Sequence, residues 1–275
     1  MGIISFILIA VNVVVSYQGF KSSAFYNKYK FRVDAVLLYK DYKRMVTSSF
    51  LHVNWMHLIF NMLALYFFSG SLELYLGPVR FLIIYFLSVV GGDLLSLFIH
   101  RNDGDYDSVG ASAGVNGIIF ASIALFPGMH IGLLFLPLAI PAWLFGLVYV
   151  LFSIYGIRSR KNNIGHDAHL GGALVGLIVA IIIQPSALIN NTWAIVIIML
   201  PCVIFIYIII TRPYVLLIDN FFFRKHSDVI TVDHKYNLEK TSKQKEVDRI
   251  LEKIHKKGMN SLTTKERQML KDYSK

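Results

Sequence analysis

The sequence lacks several features that define other protein classes. It has one cysteine, Cys202, so no disulfide can form within the chain. The chain has no HExxH pair, and no Cys or acidic cluster accompanies its closely spaced histidines, His166 and His169, which argues against a metal centre there. The apolar stretches show no alternation with a period of two residues, so they do not predict strands. No basic residues precede the first apolar stretch and it shows no obvious small-residue cleavage site, so we expect a retained helix rather than a signal peptide.

Apolar residues, in contrast, make up 55% of the 275 residues, and the mean hydropathy is +0.56, too apolar for a soluble domain of this size. Long apolar runs recur along the chain, most of them near the ~20 residues that a helix needs to cross a bilayer. They predict an all-α, polytopic membrane protein with seven helices. The runs are Ile3–Val15, Trp55–Phe68, Phe81–Ile99, Ala111–Phe126, Ile131–Ile157, Ala168–Ile183 and Trp193–Ile210.

The fourth run opens with a Gly/Ser-rich turn and continues as a helix of small and apolar residues, SVGASAGVNGIIFASIALF. Ser112 stands at the start of that helix, where free backbone N–H groups and the helix dipole can stabilise an oxyanion. A serine in this place can be a nucleophile. It can equally be a helix cap, and residues elsewhere in the chain have to decide between the two.

The second run begins with two polar side chains four residues apart, His57 and Asn61, which therefore share one helix face. An imidazole and a carboxamide are costly in lipid unless they face the interior of a bundle. They are either inter-helix hydrogen-bonding groups or a pair of oxyanion donors. His52, just before them, is expected to pin the preceding loop. Glu73, past the end of this run, is expected to be a structural hydrogen-bond acceptor.

The sixth run opens with Gly-His-Asp-Ala-His, ending in His169, and then repeats small residues every four positions at Gly172, Gly176 and Ala180. Ala113, Gly117 and Ala121 repeat in the same way after Ser112. Two such ridges allow helices to pack closely, so they predict that Ser112 and His169 meet as nucleophile and general base. A metal site at His166 and His169 is the alternative, and it lacks further ligands.

Two other features concern single helices. Asp93 is a carboxylate inside the third run and can have either a structural or a chemical role. Pro137 and Pro141 interrupt the start of the fifth run, so its regular helix should begin near Pro141.

The polar segments carry the net charge of +10. Gly19–Asn54 contains seven Lys/Arg and should form short interfacial helices. We expect a membrane domain over 1–211, a linker over 212–241 and a basic helical hairpin over 242–275. In the hairpin, Thr263 and Glu266 have the spacing of a capping box. The hairpin is expected to contact a partner or the membrane surface, and no nucleic-acid partner is expected.

Taken together, these motifs resemble those of the rhomboid intramembrane serine proteases. The resemblance rests on His57-xxx-Asn61 preceded by His52, on the GxS turn at Ser112, and on Ala-His169-xx-Gly172-xxx-Gly176. It covers about residues 1–211 and fits best the bacterial form with a seventh, C-terminal helix. It implies a rhomboid-like core of six helices plus that seventh helix, and a multi-pass protein of the bacterial inner (plasma) membrane.

The resemblance also implies residue roles. Ser112 would be the nucleophile and His169 its base, without an acid, while His57 and Asn61 would form the oxyanion hole with backbone N–H groups. The supporting residues are His52, Gly110, Ala113, Asn116, Gly172 and Gly176. The sequence departs from the family twice. Ala113 follows the serine where glycine is usual, and Asn116 replaces an aromatic that stacks on the histidine, so His169 is held by a hydrogen bond or is less restrained.

The expected function is therefore hydrolysis of peptide bonds in or near transmembrane segments of membrane-protein substrates, through an acyl-enzyme and without a cofactor. A catalytically silent relative that binds membrane helices is the first alternative. A small transporter that uses Asp93 and the histidines is the second, although the chain has no detectable repeat halves. The two arguments on orientation disagree, because the Lys/Arg distribution places the Ser112 side in the cytoplasm and the family resemblance places it outside.

Overall fold

The structure is a computed structural model that describes residues 2–132, 139–159 and 164–212, together with positions 250, 253, 254, 262, 263 and 266. The predicted linker over 212–241, most of the predicted hairpin and Pro137 lie outside the described residues. Two compact units divide the chain, Met1–Asp219 and Asn220–Lys275.

The first unit is built almost entirely from helices. They are α1 (Ile3–Lys21), α2 (Ser23–Tyr29), α3 (Val33–Leu37), α4 (Arg44–Thr47), a 3-10 turn (Ser48–Phe50), α5 (Trp55–Leu76), α6 (Pro78–Ile99), α7 (Ser112–Leu125), α8 (Ala142–Ser159), α9 (His166–Ile183), α10 (Ser186–Asn190) and α11 (Thr192–Thr211). Four very short strands form two antiparallel pairs: β1 (Phe31–Arg32) with β2 (Asp107–Ser108), and β3 (His130–Gly132) with β4 (Ala139–Pro141).

Five of these helices, α1, α5, α6, α9 and α11, are long and apolar enough to cross a membrane. The other two predicted spans, α7 and α8, are apolar but shorter. The fold is thus the predicted helical membrane fold. As predicted from the prolines, α8 begins directly after Pro141.

Helix α7 occupies the centre of the bundle. Its 14 residues reach only about 21 Å, less than the ~30 Å of a bilayer core. Every residue from Ala113 to Ala124 is buried, with α5, α6 and α9 packed around it. An isolated span must be long enough to cross the lipid, but α7 need not be, because other helices cover it. Ser112 stands at its first position.

The polar segment Gly19–Asn54 begins in the last turn of α1 and forms the predicted short helices, α2, α3 and α4. Most of its basic side chains have partners within the fold. Arg44 donates to Asp41 at 2.8 Å, Lys30 pairs with Asp107, and Lys21 lies 4.4 Å from the ring centre of Tyr17. The charge of this segment therefore has a structural use.

Glu73, near the end of α5, closes the first turn of α1. Its carboxylate accepts the backbone N–H of Ile4 at 3.0 Å and that of Ser5 at 2.9 Å, and it also accepts from the Ser5 hydroxyl. These amides have no partner within their own helix, and a negative charge there is favoured by the helix dipole. The prediction of a structural acceptor at Glu73 is confirmed.

In the second unit, Thr263 and Glu266 form the predicted capping box. The backbone N–H of Thr263 donates to Oε2 of Glu266 at 2.7 Å, and the N–H of Glu266 donates back to the Thr263 hydroxyl at 3.4 Å. Lys253 contacts the same carboxylate at 2.8 Å. These hydrogen bonds, led by that from Lys253, lower the pKa of Glu266 to about 2. Within this unit Ile250 and Leu262 are buried.

Candidate active site

Ser112 faces a histidine rather than capping its own helix. The residue in the cap position of α7 is Ala111, which has no side-chain acceptor to offer the helix. The Oγ of Ser112 lies 2.8 Å from Nε2 of His169, and both side chains are partly buried. The two residues that the sequence selected as nucleophile and base are therefore in hydrogen-bonding contact. The cap interpretation of Ser112 does not fit this geometry.

The helices that carry this pair touch through their backbones. A Cβ added to Gly172 of α9 would lie 2.2 Å from the carbonyl oxygen of Ala113, and one added to Gly176 would lie 2.3 Å from that of Gly117. Real Cβ atoms do not approach so closely, so glycine is required for this contact. The predicted docking of the two small-residue ridges is confirmed.

A third helix joins the contact, which the sequence did not predict. Gly91 and Gly92 of α6 both face α9, and a Cβ on Gly92 would lie 2.5 Å from the carbonyl oxygen of Ala168, near the start of that helix. The same Cβ would lie 2.7 Å from the methyl of Ala113. The absent side chain at Gly92 therefore makes room for Ala113, the residue that departs from the family glycine.

The imidazole of His169 is held from the other side by a tyrosine. The Oη of Tyr149, on α8, lies 3.0 Å from Nδ1 of His169, and the two rings are inclined by only 25°. Asn116, which replaces the family aromatic, does not stack on His169 but donates its amide to the Ser112 carbonyl at 2.8 Å. The sequence left open whether His169 is held by a hydrogen bond or is less restrained, and the structure shows the hydrogen bond, to Tyr149.

His57 reaches the serine across a glycine. The side chain of Asn54 accepts the backbone N–H of His57 at 2.9 Å and so fixes the first turn of α5. A Cβ on Gly110 would lie 2.8 Å from the His57 ring and 3.5 Å from Oγ of Ser112. Gly110 also has φ +135°, a conformation that favours glycine. Gly110 thus leaves open the space between the imidazole and the hydroxyl.

Asn61 lies one turn further along α5 and is buried. Its amide nitrogen donates to the carbonyl of His57 at 2.9 Å, which leaves its second amide hydrogen for another acceptor. Among the described residues, no hydrogen bond joins Asn61 to Ser112. The structure thus places the His57 ring close to the Ser112 hydroxyl, whereas the Asn61 amide contacts the His57 carbonyl instead of the serine.

His52 ties the loop before α5 to the turn before α7. Its Nε2 accepts the backbone N–H of Ala111 at 3.4 Å, and its Nδ1 lies 2.8 Å from the Ser16 hydroxyl, which donates to the carbonyl of Phe50. Burial, with a smaller contribution from His57, lowers the pKa of His52 to about 3. A neutral ring suits this place, because Nε2 must keep its lone pair to accept from Ala111.

Asp93 belongs to the support of the same turn. The Ser48 hydroxyl donates to its carboxylate at 3.3 Å, and the Ser48 carbonyl accepts the backbone N–H of Gly110 at 3.1 Å. These contacts favour the structural role over the chemical one for Asp93.

A second acidic group, Asp167, holds the start of α9. It accepts from the Tyr106 hydroxyl at 3.2 Å and lies 3.2 Å from Nε2 of His100, whose ring stacks on Tyr106 at 3.6 Å. Burial, followed by the Asp167 charge, raises the pKa of Tyr106 far above its ordinary value, so it remains a donor. These contacts bind the loop after α6 to the helix of His169.

The sequence did not single out Tyr149, Tyr106 or His100. Tyr149 had one available signal, a phenol within a largely apolar run, but Tyr155 in the same run offers the same signal. Tyr106 and His100 lie in a polar loop, where a tyrosine or histidine carries little information about its contacts.

The fold and the site define a helical membrane protein with a serine–histidine pair at the mouth of a central helix. The Rhomboid domain family matches residues 39–186, more than half of the chain. The chain therefore belongs to the rhomboid family. A second match, to a family of unknown function named DUF6576, covers residues 230–275.

Curated relatives carry rhomboid names. The chain is 33% identical over 181 residues to Rhomboid protein 1, mitochondrial, of Saccharomyces cerevisiae, covering 62% of this chain and 50% of that protein. It is 33% identical over 150 residues to RHOMBOID-like protein 12, mitochondrial, of Arabidopsis thaliana, covering 49% of this chain and 44% of that protein. It is 28% identical over 144 residues to Inactive rhomboid protein 1 of Drosophila melanogaster, covering 52% of this chain and 10% of that protein. The chain spans half or less of the length of these relatives.

Proposed function

We propose that this protein is an intramembrane serine endopeptidase that hydrolyses peptide bonds in or next to the transmembrane segments of other membrane proteins. The observation that carries the proposal is the 2.8 Å contact between Oγ of Ser112 and Nε2 of His169. Membership of the rhomboid family and the three site motifs support it. The substrate class follows from the position of the pair inside a helical membrane bundle.

In the proposed reaction, Oγ of Ser112 attacks the carbonyl carbon of the scissile bond while His169 takes the hydroxyl proton. The resulting imidazolium protonates the leaving amine, and the acyl group remains on Ser112. Water, activated by His169, then hydrolyses the ester and restores the serine. No step requires a metal or a cofactor.

The developing oxyanion would be met by groups that converge on Ser112. These are the free backbone N–H groups at the start of α7 and the ring of His57 beside Gly110. Asn61 would be a further donor once its amide has turned toward the serine, because one of its two hydrogens is not used in its contact with the His57 carbonyl.

A catalytically silent role, binding membrane helices without cutting them, is the second candidate. The match to a Drosophila protein named inactive favours it. Against it stands the Ser112–His169 contact, which a silent protein does not need.

Labelling with a fluorophosphonate separates the two. The reagent forms a covalent bond only with an activated serine, so the purified protein should be labelled and Ser112→Ala should not. Absence of labelling in folded wild-type protein, together with no cleavage of a transmembrane test substrate, would favour the silent candidate.

We further propose the bacterial plasma membrane as the location, from the C-terminal seventh helix, α11, that follows the core. Two of the relatives named above are mitochondrial by name, which makes an organellar inner membrane the competing location. Fractionation of the source cells, with an antibody against the tail, decides between the two.

A further inference from the structure

We propose that Tyr149 positions His169 for catalysis and acts as the third residue of the site. The proposal rests on the function proposed above. Tyr149 Oη lies 3.0 Å from Nδ1 of His169, while Nε2 of the same ring lies 2.8 Å from Ser112. The tyrosine thus takes the place that a carboxylate holds in a serine–histidine–aspartate triad.

The location of the hydrogens follows from these two contacts. For the Ser112 hydroxyl to donate to Nε2, that nitrogen must carry a lone pair, so neutral His169 has its hydrogen on Nδ1. The Tyr149 oxygen then accepts that hydrogen. A phenol oxygen can do so while its own hydrogen is directed elsewhere. Tyr149 therefore selects the tautomer of His169 in which the base can receive the serine proton.

The same contact gains strength during the reaction. Once His169 has taken the serine proton it is an imidazolium, and its Nδ1–H bond to Tyr149 becomes charge-assisted. A phenol gives this support without a charge of its own. In a membrane-embedded bundle this matters, because a buried carboxylate is costly to desolvate whenever the histidine is neutral.

The Tyr149 ring is held by neighbours that do not involve its hydroxyl. The ring of Phe145 stacks on it with centroids 5.8 Å apart, and Phe120 lies at the same distance with a tilt of 58°. Loss of the hydroxyl therefore leaves the packing in place. This separates the hydrogen bond from the structural role of the ring.

Other candidates for holding His169 are committed elsewhere. Asn116 donates to the Ser112 carbonyl, and Asp167, two residues before His169, is engaged by Tyr106 and His100. Within the described parts of the chain, Ser112 and Tyr149 are the hydrogen-bond partners of the His169 side chain.

The test compares Tyr149→Phe with Tyr155→Phe, a matched control on the same helix whose ring is exposed on the bundle surface. Full-length protein in detergent is assayed for the rate of fluorophosphonate labelling, for kcat and KM on a transmembrane test substrate, and for thermal unfolding. Nitrogen-15 NMR of labelled histidine reports the tautomer of His169, whose signal is assigned by its loss in His169→Gln.

Tyr149→Phe is expected to lower the labelling rate and kcat by about 10- to 100-fold, the range for one hydrogen bond to a charged group, with KM unchanged. The NMR signal of His169 should shift from the Nδ1–H tautomer toward the Nε2–H tautomer. Tyr155→Phe should behave as wild type in every measurement.

An unchanged tautomer and an unchanged rate in Tyr149→Phe would overturn the proposal. A fall in activity that only follows a fall in thermal stability would overturn it as well, because the tyrosine would then be structural. If wild-type protein neither labels nor cleaves, the protease proposal fails, and the tautomer comparison still decides whether Tyr149 positions His169.

Discussion

Ser112 and His169 are in contact because the backbones of their helices meet just beside them. Ala113, the residue after Ser112, touches Gly172, which lies three residues after His169. A Cβ on Gly172 would lie 2.2 Å from the Ala113 carbonyl oxygen, so no side chain separates the two helices at this point. The contact between hydroxyl and imidazole is therefore determined by backbone packing just below it. This relationship ties the geometry of the pair to the packing of α7 against α9.

The first prediction concerns the pair itself. Ser112→Ala and His169→Ala should each abolish cleavage of a transmembrane test substrate while leaving the protein folded, because one removes the nucleophile and the other its base. Cleavage is followed by gel in detergent and in liposomes, with unfolding temperatures measured in parallel. Appreciable activity in either variant, at matched expression, would contradict the assignment.

The second prediction concerns stabilisation of the oxyanion. His57→Ala and Asn61→Ala should lower kcat by ~10²–10³ with little change in KM, because their hydrogen bonds would strengthen mainly in the transition state. Met56→Ala, which removes an exposed side chain from the same turn, is the control. A raised KM with an unchanged kcat would assign the residue to substrate binding instead.

The third prediction tests the helix contact. Gly176→Ala places a Cβ 2.3 Å from the Gly117 carbonyl oxygen and should lower the unfolding free energy by about 1–3 kcal/mol. It should also slow labelling of Ser112, since the helices must move apart. Gly128→Ala meets nothing within 4 Å and serves as the control. Equal unfolding temperatures for the two variants would show that the bundle accommodates the methyl without cost.

The fourth prediction concerns pH and stability. The pKa of His52 is about 3 in the folded protein and ordinarily 6.5, so the unfolded chain binds the proton more tightly. Stability should therefore be fully present above pH 6.5 and decrease as the pH falls toward 3. At pH 5 the loss from this group is about 2 kcal/mol. His52→Gln, which cannot titrate, should show a smaller decrease in unfolding temperature between pH 7 and pH 5 than wild type. An identical decrease would contradict the assignment.

The fifth prediction concerns orientation. If all seven predicted spans cross the membrane, the loop containing Asp105 and the tail containing Asn260 are expected on the same side, and we expect that side to be extracytoplasmic. In a Cys202→Ala background, Asp105→Cys and Asn260→Cys should both react with an impermeant maleimide on intact cells. Reaction of only one would contradict the seven-span arrangement. Protection of both, with reaction after lysis, would favour a cytoplasmic site.

The structure weakens the charge argument against that orientation. The first loop holds seven Lys/Arg, yet four of them pair with aspartates of the same unit and two lie over aromatic rings. Among the described residues, Lys40 alone of the seven lacks such a partner. The positive-inside rule counts charges in short loops, and it does not consider charges that a folded loop uses for its own packing.

The pairing of α7 with α9 could be predicted from sequence because it depends on a regular repeat. Small residues every four positions mark a helix face, and two such faces in one membrane protein have few other uses. The position of Ser112 before one ridge and His169 before the other then fixed the contact. The beginning of α8 after Pro141 was predictable for a different reason, because proline lacks a backbone N–H and is best tolerated in the first turn of a regular helix.

The contacts of Tyr149 and Gly92 could not be predicted in this way. Each is a single residue in an apolar run, and its partner lies on a helix whose rotation is determined by the whole bundle. The hydrogen bonds of His52 depend likewise on the exact course of two loops. Local pattern identifies which helices are close, whereas individual polar contacts depend on how three or more elements meet.

The closure of α1 by Glu73 has a consequence for the order of biosynthesis. Ser5 and the carboxylate that accepts its amide are 68 positions apart, so all of α1 is synthesised before its capping group exists. Until α5 has been made, the first turn of α1 must find its partners in water or lipid headgroups at the membrane surface. The hydrogen bonds between α1 and Glu73 of α5 can therefore form only after both helices have been inserted. Helix α1 thus reaches its final hydrogen bonding no earlier than α5 does.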